Sequence, residues 1–100
     1  VYHNPKEEHM PKELRDYLND SIAEKMKLAN TISKQMGEDV KNKIISPQSV
    51  QQVLTAIDNL DAATVHLLRG EHENAIHFFS RACANLGEFK GRTDKERGKS

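Results

Sequence analysis

From Lys12 onward the apolar positions recur with a helical period. Leu14, Leu18, Ile22, Met26, Ala29, Ile32, Met36 and Val40 follow one another at steps of three or four. At ~100° per residue they share about 120° of arc, which makes one buried stripe. The stripe predicts a long first helix near 12–36. Gly37 either ends it or sits inside it, and residues 38–45 are ambiguous. Ser46-Pro47 predicts the next start, because Ser at the N-cap accepts from free backbone N–H groups and Pro at N1 has a helical φ and no N–H to satisfy. The second helix runs to about Arg69 on a stripe of Val50, Val53, Leu54, Ile57, Leu60, Val65 and Leu68, with Gly70 as its C′ residue. A third helix, near 73–86, carries Ala75, Ile76, Phe79, Ala82, Cys83 and Leu86, and Gly87 is its predicted stop.

No segment alternates β-branched or aromatic residues between turn signals, so no strand is predicted. The expected fold is all-α: a small helical bundle of one long N-terminal helix and a helical hairpin. Pro5 and Pro11 mark residues 1–11 as an irregular lead-in, and residues 12–87 make a single helical domain. Residues 88–100 hold eight charged residues, Gly91, Gly98 and one Phe, which predicts a disordered polar tail.

One hundred residues suit one core, and a chain that is 36% hydrophobic and 5% aromatic suits packing along amphipathic stripes. Fifteen basic residues balance fifteen acidic ones. A nucleic-acid binder shows a basic excess, so no nucleic-acid partner is expected. The single Cys83 has no partner for an intramolecular disulfide, which points to a reducing, cytoplasmic compartment. No apolar run is long enough to span a membrane. Val1 rather than Met opens the sequence, which reads as a piece of a longer protein.

Candidate chemistry narrows the choice further. His66, His72 and His77 stand six and five apart, whereas helical zinc ligands favour an i, i+4 pair. They read as surface or half-buried histidines, and His3 and His9 fall in the lead-in. Cys83 sits on the core side of the third helix and reads as a small hydrophobe. No nucleophile elbow, phosphate-binding loop or dinucleotide fingerprint occurs. Neither catalysis nor a metal or other cofactor is expected. Asp61 lies at the centre of the second stripe, which Thr64 also interrupts. An unpaired buried carboxylate is costly. Either the stripe opens there toward solvent, a groove or a lysine, or the helix is rotated and Asp61 sits at the rim.

The run Leu68-Arg-Gly-Glu-His-Glu-Asn-Ala-Ile-His-Phe-Phe-Ser-Arg-Ala82 resembles the second half of a tetratricopeptide motif. Gly70, Ala75, Phe79 and Ala82 fill its places, and Ala63 fits the small position of the preceding helix. Asn59, His66 and Gly87 stand where the motif has Trp, an aromatic and Pro. With no second copy at a period of thirty-four, the chain holds one hairpin and not a solenoid. Val50-Gln51, the Gly70-to-Ala75 turn and Ser80-Arg81-Ala82 together resemble the twenty-kilodalton presequence receptor of the mitochondrial outer-membrane translocase. The family's basic juxtamembrane stretch and its Gln-rich final helix have no counterpart here.

That resemblance implies a protein-transport receptor at the cytosolic face of the mitochondrial outer membrane, with an anchor upstream of Val1. The partner would be an amphipathic helical targeting peptide or a partner protein, bound helix-in-groove. Val53, Leu54, Ile57 and Leu60, together with Thr64, would line one wall of the groove and Phe78 the other. Asp61, Glu71 and Glu73 would form an acidic rim. The same aliphatics would instead be ordinary core if they pack on the first helix. The alternative is a generic three-helix interaction module, similar to the microtubule-interacting-and-trafficking class, or a homodimerisation element.

Overall fold

A computed structural model describes residues 11–98 and consists of three helices, with no strand among the described residues. They are α1, Lys12–Lys41, α2, Pro47–Leu68, and α3, His72–Glu96. The lead-in expected at 1–11, with His3 and His9, lies outside the described residues apart from Pro11. The molecule is 59 Å long and 23 × 19 Å across. α2 packs extensively on α3 and less so on α1, and α1 and α3 meet only sparsely.

The core follows a seven-residue repeat. α2 buries Ser49, Val53, Ala56, Leu60, Ala63 and Leu67, alternating steps of four and three. α3 buries His72, Ala75, Ala82, Leu86, Phe89 and Thr93, and α1 buries Leu18, Ile22, Ala29 and Met36. This spacing keeps one row of side chains facing a nearly aligned partner helix. Ala29, Ala56, Ala63, Ala75 and Ala82 have no exposed surface, so small side chains occupy the seams and let the backbones approach closely.

The predicted stripes are partly displaced. On α1, Met26 and Ile32 are partly buried against the core, while Leu14 and Val40 are exposed. On α2 the true seam is turned toward Ala56 and Ala63, so Leu54, Val65 and Leu68 face out. Phe79 packs against the core from its edge.

All three helices stop with a left-handed C′ residue. After α2, Gly70 has φ 76°, its N–H donates to Leu67 O and the Glu71 N–H donates to His66 O at 2.9 Å, a Schellman closure. Lys43, at φ 58°, takes the same role after α1: Lys43 N–H donates to Val40 O and Ile44 N–H to Asp39 O. Gly98, at φ 78°, follows α3. Ser46 caps α2 as expected, its Oγ accepting from the Ser49 N–H at 3.3 Å.

Gly87 does not stop the third helix, and residues 88–96 are not a disordered tail. α3 continues to Glu96 because Phe89 and Thr93 extend its buried row. Gly87 and Gly91 lie exposed, with nothing close to where a Cβ would stand. Burial of Phe89 outweighs the modest helix penalty of two outward glycines. The six charged residues of 88–96 are exposed or half-buried. Lys99 and Ser100 are outside the described residues.

Candidate functional site: the outer face of the second helix

The residues expected to line a groove do not share one surface. Val53 and Leu60 have no exposed area and belong to the core. Ile57 and Thr64 are half-buried, and the Thr64 hydroxyl donates back to Leu60 O at 3.0 Å. Leu54 is 43% exposed and Asp61 is exposed. The helix is rotated from the expected phase, and Asp61 stands on its outer face rather than at the rim of the buried row, so no carboxylate is buried there.

Phe78, assigned to the opposite wall, lies on the α3 side of the hairpin. Its ring stacks parallel on His66, with centroids 5.2 Å apart and 2° between planes, and His77 meets it edge-on. Glu71 Oε1 is 2.7 Å from His66 Nδ1. Glu71 is thus engaged across the Gly70 turn and is not a free acidic rim, and Glu73, exposed on the first turn of α3, also has a partner. His72 is buried and His66 is half-buried. Cys83 is half-buried. Among the described residues, no three His, Cys, Asp or Glu side chains come together as metal ligands.

The same seam holds a polar ladder that the row of large aliphatics does not reveal. Asn59 Nδ2 donates to Asn85 Oδ1 at 2.8 Å, and Asn85 Nδ2 donates to Gln52 Oε1 at 3.2 Å. Gln52, Asn59 and His66 are seven apart, as are Phe78, Asn85 and Arg92. That double heptad is the signal in the sequence, and it fixes the register of the hairpin because a slip would leave amides unpaired.

What remains open on α2 is its outer face. Leu54, Val65 and Leu68 are 43%, 44% and 81% exposed. Asp58 and Asp61 are exposed among them, and no Lys or Arg occurs between residues 47 and 68. The face is therefore an aliphatic strip bearing two carboxylates. Beside its C-terminal end, Arg15, Asp16 and Asn19 of α1 form a shallow cleft with Leu67 and Leu68. Such a surface can take the apolar side of a helix and attract a basic flank.

Fold and surface together define a small all-α bundle with an aliphatic, acidic face on its central helix. No protein-family model matches the chain, and no curated protein or solved structure proves similar to it. No helix among the described residues is long and apolar enough to cross a membrane.

Proposed function

We propose that the chain is a non-catalytic receptor or adaptor domain that binds amphipathic helical peptides. The observation that supports this is the outer face of α2, where Leu54, Val65 and Leu68 stand exposed beside Asp58 and Asp61 with no Lys or Arg on the helix. An aliphatic strip takes the apolar side of a ligand helix, and the carboxylates favour a basic one. Following the presequence-receptor resemblance, the ligand is a targeting peptide in mitochondrial protein import, met at the cytosolic face of the outer membrane. The parent protein is then anchored upstream of Val1. Affinity is on the order of micromolar or weaker, because a short peptide buries little surface and must order itself.

Fluorescence anisotropy with a labelled basic amphipathic peptide tests this. Leu68→Ser, at a site too exposed to affect the core, is expected to weaken binding several-fold. Equal binding by Leu68→Ser and the unaltered chain would remove this face from the account.

A second reading, a generic interaction or homodimerisation module, draws on α1, where Leu14, Tyr17 and Leu28 are 48%, 70% and 46% exposed. Sedimentation equilibrium separates the two, since a dimer built on α1 gains mass with concentration and is lost in Tyr17→Ser.

A further inference from the structure

The inner flank of α2 is occupied, and the occupant is a helix. Val53, Ile57, Leu60 and Thr64 span about 60° of α2 at the helical repeat. They lie on the opposite side of the buried arc from Asn59 and His66, which meet α3. α1 covers this flank: Leu18, Ile22 and Ala29 share one core cluster with Leu60, Met36 shares another with Val53, and Ile57 packs against both.

α1 buries a smaller share of its residues than α2 or α3 does. It buries four of its 30 residues and barely meets α3. A polar tie to the residue that follows α3 stands at its C-terminal end, where Arg97 Nη2 donates to Asp39 Oδ2 at 2.6 Å. Beside that tie is a cleft of ≈360 Å³ lined by Ile32, Gln35, Met36, Asp39, Phe89 and Arg97. The turn that joins α1 to α2 carries a non-glycine residue, Lys43, at φ 58°, a conformation that costs an L-residue energy. By contrast α2 and α3 are locked by the amide ladder, the His66–Phe78 stack and the Ser49–Glu96 bond. Segments with few buried contacts open before the rest of a fold.

We propose that α1 is the built-in occupant of a helix-binding groove on the α2–α3 hairpin, exchangeable for a second amphipathic helix of the same chemistry. That chemistry is read from α1 itself. Its apolar contacts stand at Leu18, Ile22, Ala29 and Met36, on a helix with six basic and six acidic residues. The inference rests on reading the hairpin as a helix-binding unit, but it places the ligand on the inner flank and gives it no net charge.

A fluorescein-labelled peptide of residues 12–41, titrated with the intact 100-residue chain, tests it. Saturable binding is expected, tightened about fivefold by Asp39→Ala, which loosens the resident helix without touching the core. The same peptide carrying Ile22→Asp is expected to bind neither chain. In the free protein, amide exchange of α1 is expected to be faster than that of α2 and α3, and to quicken selectively in Asp39→Ala. Absence of saturable binding, equal affinity in the two chains, or α1 exchanging together with the hairpin would each overturn the proposal. A basic peptide that fails to bind counts against the outer-face reading alone and leaves the α1-peptide result standing.

Discussion

Ser49 Oγ donates to Glu96 Oε1 at 2.7 Å and so fastens the first turn of α2 to the last turn of α3. The other carboxylate oxygen accepts the Ser46 N–H at 3.2 Å, placing an anion at the positive end of α2. Hydrogen bonding from Ser46, then from Ser49, holds the Glu96 carboxyl below the ordinary glutamate value, against the opposing effect of desolvation. A carboxyl whose pKa is lower folded than unfolded stabilises the fold above its unfolded pKa, and that contribution disappears as pH falls through the folded value. Glu96→Gln is therefore expected to be less stable than the unaltered chain at pH 7, with the gap closing toward pH 3. Urea titrations at the two pH values measure it, and a gap independent of pH would contradict the assignment.

Lys43 occupies the C′ position where α2 and α3 are followed by Gly70 and Gly98. A left-handed conformation costs an L-residue about 1–2 kcal/mol, and glycine avoids that cost. Lys43→Gly is expected to raise stability by ~1 kcal/mol, read as a higher denaturation midpoint with an unchanged slope. A loss of stability would mean that the turn is not built this way.

Phe89 and Gly87 test the last turns of α3 from opposite sides. Phe89 is buried among Met36, Ile45 and Val53, so Phe89→Ala is expected to cost ~3–5 kcal/mol. Gly87 is helical and open to solvent, so Gly87→Ala is expected to add ~0.5–1 kcal/mol. A disordered segment beyond residue 87 would leave both variants close to the unaltered chain in thermal melts.

These two residues also show what the sequence made legible and what it hid. Ser46-Pro47 and Gly70 marked their helix ends correctly because a cap is a local event and its residues carry the geometry. Gly87 misled because a glycine inside a helix is tolerated when tertiary burial nearby outweighs it, and only the continuation of the heptad through Phe89 and Thr93 announces that burial. The phase of α2 was hidden for another reason. A stripe drawn through the large aliphatics points at Leu54 and Val65, but the seam runs through Ser49, Ala56 and Ala63, whose small side chains are what close packing needs. Of the expected groove, Leu54 and Asp61 lie on an open face and Val53 and Leu60 in the core, a division that follows from that single rotation.

His66 ties the Gly70 turn to α3 through Glu71 and Phe78. His66→Ala is expected to cost ~1–2 kcal/mol, the sum of a hydrogen bond and a ring stack. Glu71→Gln, which keeps an acceptor in place, should cost less. The two variants compared by urea titration check this, and a neutral His66→Ala would mean that the turn is held by its backbone closure alone.

If the outer face of α2 receives an amphipathic helix, its exposed residues must respond to one. NMR titration of the isotope-labelled chain with a basic amphipathic peptide tests it most directly. Amide shifts are expected to concentrate at Leu54, Asp58, Asp61, Val65 and Leu68, with the Asn59–Asn85 seam unmoved. Shifts that avoid those five residues, or none at millimolar peptide, would contradict it.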